Sequence, residues 1–181
     1  MKHMVHGAGC GCLPALSRRR ALGLGLGMGL AGAVTAAFPA LAAGGSYEAM
    51  LVNCIDPRFT TGSWAYMASR GLKDGYSHFV IAGGPIGMVS PKFADWQKTF
   101  WDNLGITVQL HNIKRVISLT HRDCGAAVVA YGDRIKTDKA FETQEHVGAL
   151  RAFKAAVNQR QPKLAVETGI MALDGTVEVV T

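Results

Sequence analysis

Two short segments of the sequence hold the side chains with the most chemistry. Cys54-Ile55-Asp56-Pro57-Arg58 sets a thiol ahead of a carboxylate and a guanidinium, and His121-Arg122-Asp123-Cys124-Gly125 sets an imidazole three residues before a second thiol. Two thiolates and one imidazole are soft and borderline donors that suit tetrahedral zinc. Three protein ligands leave a fourth position open, which marks a catalytic rather than a structural zinc site. His78, His111 or His146 could close that shell from elsewhere in the chain. Two plainer readings stand beside the metal: a disulfide between the two cysteines, and a pair of buried, inert thiols. For Asp56 and Arg58 the plain reading is a solvated turn, which Pro57 between them favours.

Both segments follow apolar runs, so the elements that must position them are legible. Ala49 to Asn53 reads as a strand ending at Cys54, and Arg115 to Thr120 as a strand ending at His121. Ser77 to Ala82 reads as another strand, stopped by Gly83-Gly84-Pro85. Thr61 to Leu72 has helical spacing, with Trp64, Met67, Ala68 and Leu72 on one face. Lys92 to Leu104 does too, with Phe93, Trp96, Phe100 and Leu104 in register, and the pattern resumes past Gly105 to Asn112. Trp64, Phe93, Trp96 and Phe100 are therefore expected in the core. Tyr131 to Phe141 reads as a mobile loop, and Glu142 to Gln159 as an amphipathic helix carrying Val147, Leu150, Phe153 and Val157. Leu164 to Leu173 and Thr176 to Val180 flank Asp174-Gly175, a hairpin signal. Strand–helix alternation closed by a hairpin predicts an α/β fold: a mostly parallel sheet, helices on both faces and a C-terminal hairpin. In such sheets ligands gather beyond the carboxyl ends of the strands, where both segments fall.

Composition narrows the function classes. The chain has 181 residues, 49% of them hydrophobic and 18% charged, enough for one packed domain and too apolar for wholesale disorder. Its formal charge of +6 is unevenly placed. Residues 1–42 carry Lys2, Arg18, Arg19 and Arg20 and no acid, so the remainder holds 15 basic and 13 acidic residues, a net of +2. That balance argues against a nucleic-acid-binding domain. Residues 1–42 themselves read as an export signal of twin-arginine type. Arginines precede an uncharged Gly-, Ala- and Leu-rich run, and Ala40-Leu41-Ala42 offers a cleavage site that leaves Ala43 first. The rival is a retained membrane anchor, for which five glycines and one proline make a poor lipid helix. Residues 43–181 are then a single zinc-binding α/β domain, periplasmic or extracellular, touching a membrane only through the signal if it stays uncleaved. Gly27-Met28-Gly29-Leu30-Ala31-Gly32 fits a nucleotide-binding pattern but no strand precedes it, and Cys10 and Cys12 fall within the signal.

Cys-x-Asp-x-Arg, followed at a distance by a strand and His-x-x-Cys-Gly, resembles the β-class carbonic anhydrases over roughly residues 49–131. The resemblance implies a four-stranded parallel core with an added strand and one Zn2+ per chain. It implies zinc ligation by Cys54, His121 and Cys124, with Asp56 and Arg58 as the catalytic dyad. Zinc lowers the pKa of its bound water, and the resulting hydroxide attacks carbon dioxide to give bicarbonate. Two thiolates neutralise the metal's charge, so activity is expected to rise toward alkaline pH. Asp56 would accept the hydroxide's proton in a hydrogen bond, and Arg58 would hold Asp56 in a charge-assisted pair. Carbonyl sulfide or carbon disulfide could replace carbon dioxide as the electrophile. A zinc-binding or redox-responsive protein without turnover is the alternative from another class. Where the family commonly carries Arg-Asn-Ala-Gly-Asn, this chain has Ile81-Ala82-Gly83-Gly84-Pro85, whose small residues still allow backbone to approach the pocket. The family's N-terminal helical arm, which helps dimers form, is missing from the pattern, leaving a homodimer as one assembly open to the chain. Asp123 reads equally as support for the ligands or as a solvated helix start, and His78 and His146 are not assigned.

Overall fold

A computed structural model describes residues 45–181. The export signal expected over residues 1–42, with its glycine pattern and its two cysteines, lies outside the described residues. Within them, β1 (Ala49–Asn53), β2 (Tyr76–Val80), β3 (Arg115–His121), β4 (Ala165–Met171) and β5 (Val177–Val180) form one sheet in the order β2-β1-β3-β4-β5. The first four strands are parallel and β5 runs antiparallel to β4. The predicted α/β architecture, including the terminal hairpin, is therefore the observed one.

Side-chain alternation along the strands divides the core. Met50, Val52, Val116 and Val166 face one side, where they meet Met88 of α2 (Pro85–Val89), Phe100 and Leu104 of α3 (Ala94–His111), and Phe153 and Val157 of α6 (Lys139–Arg160). Ala49, Leu51, Ile117 and Leu119 face the other, against Phe59, just ahead of α1 (Thr60–Ser69), and Met67 within it. All five residues of β1 are buried, as expected for a central parallel strand covered on both faces. Gly105 lies within α3, and the helix ends at Asn112 in left-handed backbone (φ 46°).

Three expectations need correction. Gly83-Gly84-Pro85 does not merely stop a strand: Pro85 opens the buried five-residue helix α2, its fixed φ suiting a first helical position. Tyr131–Phe141 is not a loop. It comprises the end of α4 (Gly125–Tyr131), the short α5 (Arg134–Thr137) and the start of α6. Ile135 is buried there, Arg134 pairs with Asp138 at 2.8 Å, and Asp138 caps α6 by accepting from the Phe141 N–H at 3.0 Å. Phe93 and Phe100 are buried, but Trp64 and Trp96 are 48% and 36% exposed. Helical spacing places these two indoles on the right elements, yet at the margin of the buried face, and Trp96 stacks on Phe93 at 4.4 Å.

Candidate metal centre

The parallel pairing of β1 and β3 brings the two chemistry-bearing segments together. Val52 stands opposite Ser118, so the carboxyl ends of both strands open on the same edge. Cys54 is the first residue past β1, His121 the last of β3, and Cys124 the residue that precedes α4. All three are buried, and their ligand atoms lie within 4.8 Å of one another. Both thiols are free. No other described histidine joins them. His78 Nε2 bonds Asn53 Oδ1 at 2.8 Å, His111 Nδ1 bonds Ser77 Oγ at 2.6 Å, and His146 is enclosed on α6.

Each donor is held by its surroundings. His121 Nδ1 lies 2.9 Å from the Arg122 carbonyl, which can only accept, so Nδ1 carries the proton and Nε2 presents a lone pair. Nε2 is buried with no hydrogen-bond partner, and the Phe59 ring lies 4.0 Å from the imidazole centroid to centroid. Cys124 Sγ accepts from the Ala127 and Ala126 N–H groups in the first turn of α4, where helix amides favour a thiolate. Cys54 Sγ accepts from the Gly83 N–H at 3.2 Å and from the Asp56 N–H. That Gly83 contact explains the small residues after β2. Gly84 has φ 55°, and a Cβ there would come within 2.9 Å of the Asn53 carbonyl carbon, so only glycine lets this backbone reach the thiol.

The two thiols titrate as a pair. A hydrogen bond from Cys124, opposed by burial and aided by the Asp56 and Gly83 N–H groups, draws Cys54 well below the usual thiol range. The same bond, together with burial, pushes Cys124 up. One thiolate is thus readily formed, and a cation is what would make the second favourable. Two sulfurs and an imidazole nitrogen this close together, with that nitrogen buried and unpartnered, form a donor set that fits a borderline metal ion such as zinc.

Asp56 and Arg58 also come together beside Cys54. Asp56 Oδ1 accepts from the Arg58 backbone N–H at 3.0 Å, capping the 3-10 turn Pro57–Phe59. The Arg58 side chain grips both oxygens, Nε lying 3.0 Å from Oδ1 and Nη2 2.7 Å from Oδ2. These bonds hold the carboxyl down at about 2, against a smaller opposing effect of burial. Arg58 reaches further, to Asp123: Nη1 donates to Oδ2 at 2.7 Å and Nη2 to the backbone carbonyl at 2.9 Å. The Asp123 side chain is 59% exposed and bonds Arg58, not a thiol or the imidazole, so it shares features of both readings open for it. Sequence reasoning missed Glu142, whose Oε1 accepts from the Asp123 N–H at 2.8 Å. It and His146 complete a stripe with Ala149, Leu150, Phe153 and Val157, all buried on α6. That three- and four-residue spacing was the available signal.

No family model matches the chain. It is 33% identical over 129 residues to the uncharacterized protein RC0076 of Rickettsia conorii, covering 71% of this chain and 69% of the relative. An uncharacterized protein of Rickettsia bellii matches at the same identity, over 71% of this chain and 79% of the relative. Among solved structures, a carbonic anhydrase from Glaciozyma antarctica superposes with a TM-score of 0.50 at 16% identity, covering 79% of this chain and 87% of that one. At that identity the likeness is one of fold. The chain belongs to one family with the rickettsial proteins, and in fold it is a divergent β-carbonic-anhydrase-like protein.

Proposed function

We propose that this protein is a zinc lyase that interconverts carbon dioxide and bicarbonate. The observation that carries the reading is the convergence of Cys54, His121 and Cys124 within 4.8 Å beside an Asp56 carboxylate already fixed by Arg58. Cys54 Sγ, Cys124 Sγ and His121 Nε2 would hold one Zn2+. When bound, zinc supplies a Lewis acid that lets water act as a nucleophile well below the pH at which free water ionises.

The chain's own residues direct the rest. Asp56 is ionised throughout the physiological range, so its oxygens only accept hydrogen bonds. It can therefore take a hydrogen bond from the attacking water and fix the direction of the lone pair. Arg58 keeps that carboxylate from turning and, by neutralising it, from competing as a ligand. Phe59, Leu119 and Met171 line a cavity of about 10 Å³ with Cys54 and His121 and keep bulk water away from the imidazole side. A cavity of this size holds about one water. Sulfur analogues of carbon dioxide are the next substrates to try.

The absence of side-chain donors in Ile81–Pro85 favours a second reading, a zinc-binding or redox-responsive protein without turnover. Replacing Asp56 by Ala separates the two: hydration is lost with zinc retained if the protein is a lyase, and little changes otherwise. Export belongs to the proposal as well, supported by Arg18-Arg19-Arg20 and Ala40-Leu41-Ala42. Transport after folding would let the thiols take zinc while reduced. A mature protein beginning at Ala43 in the periplasmic fraction is the expected result, and a full-length protein in the cytoplasm would contradict it. A homodimer is the proposed assembly, to be checked by light scattering.

A further inference from the structure

Asp123, between His121 and Cys124, has φ 55°, a left-handed backbone that few non-glycine residues adopt. All three of its polar groups are engaged, from two sides. Arg58 takes the carbonyl and the carboxylate, and Glu142 takes the N–H. Glu142 is 1% exposed, and a carboxylate so deeply enclosed is unfavourable unless paired. Burial pushes it up, but the Asp123 N–H, Lys139 (3.3 Å) and Arg122 (3.5 Å) outweigh that effect and keep it ionised. α6 has no need of it as a cap, since Asp138 already fills that role.

A line of charge-assisted hydrogen bonds thus runs from α6 to the dyad. Glu142 holds the Asp123 backbone, Asp123 holds Nη1 and Nη2 of Arg58, and Arg58 holds both oxygens of Asp56. The Arg58 side chain is 47% exposed, so without Asp123 only Asp56 and the Phe59 ring, 5.6 Å from the guanidinium, would restrain its outer end. Resting on the zinc reading above, we propose that Glu142 is a positioning residue that orients Asp56 through Asp123 and Arg58.

The test compares wild-type protein with Glu142→Ala and Glu142→Gln, the latter keeping an oxygen acceptor for the Asp123 N–H. Three quantities are measured: amide hydrogen exchange at Asp123 on metal-free protein, zinc per chain, and kcat and KM for carbon dioxide hydration. Glu142→Ala is expected to speed Asp123 exchange about 10-fold and to lower kcat about 10-fold, with zinc content and KM unchanged. Glu142→Gln is expected to restore most of both losses. Unchanged exchange in Glu142→Ala overturns the inference, as does undiminished kcat or a kcat loss explained by lost zinc. Should Glu142→Ala fail to fold, Asp123→Asn tests the next link: kcat should fall at full zinc, and an unchanged kcat overturns the role. Wild-type protein lacking zinc and turnover would instead overturn the zinc reading, and the role with it. That result differs from one in which wild type turns over and the variants match it.

Discussion

Two arginines in this protein do the same electrostatic work at opposite ends of the sheet. Beyond the carboxyl ends of the strands, Arg58 bridges Asp56 and Asp123 at 2.7 Å each. At the amino ends, Arg115 bridges Glu48 and Glu167, and Arg70 adds a further 2.7 Å contact to Glu167. Both arginines are partly exposed, and both are pushed up by their carboxylates. What differs is the surroundings. Arg58 lies beside two buried thiols and an imidazole with a free lone pair, whereas no thiol or imidazole hydrogen-bonds to the Arg115 cluster among the described residues. The guanidinium–carboxylate clamp is thus a general device for holding strand ends, and soft buried donors make one clamp part of a site.

The largest expected effect comes from removing those donors. Cys54→Ala, His121→Ala or Cys124→Ala should each bring zinc from one per chain to near none and abolish hydration, as metal analysis and stopped flow would show. Arg115→Ala should leave both untouched. Next, Asp56→Ala should lower kcat about 100-fold or more with zinc retained. Asp56 titrates near 2, so no limb of the activity profile between pH 5 and 10 belongs to it. A limb that vanished with Asp56→Ala would contradict this assignment.

His146 sharpens the comparison through stability. Burial holds the imidazole down at about 4 from an ordinary 6.5, so the unfolded chain takes up a proton in this window and the folded protein does not. Stability should therefore fall as pH drops from about 6.5 to 4, by about 3 kcal/mol from this residue. Urea unfolding of His146→Leu should show a flatter acid limb than wild type; parallel limbs would remove His146 as the cause. The smallest effect belongs to the amino-end clamp. Arg115→Ala should cost about 1 kcal/mol, the scale of exposed ion pairs, and that loss should shrink in high salt.

Much of this arrangement is legible in the residues alone. β1 has its expected limits because a short apolar run ending at a cysteine favours a buried strand, and five of the residues that converge follow from spacing and resemblance. The failures share a cause, since local pattern does not carry tertiary burial. α2 has no polar cap and only five residues, so its glycines and proline read as a turn. Ile135 is one apolar residue among charges, and only its burial makes α5 a packed element. Glu142 reads as the first residue of an amphipathic helix and nothing more. Its role depends on Asp123, 19 residues earlier and brought near only by the fold. Trp64 and Trp96 show the converse, large apolar side chains with helical spacing that the fold leaves at its margin.

Whether the cysteine–histidine group and its dyad form a working zinc lyase is decided by stopped-flow hydration of carbon dioxide. The protein should carry a known zinc content and be followed from neutral to alkaline pH. Turnover that scales with bound zinc and climbs with pH is the expected result. One zinc per chain without turnover on carbon dioxide would contradict the lyase assignment.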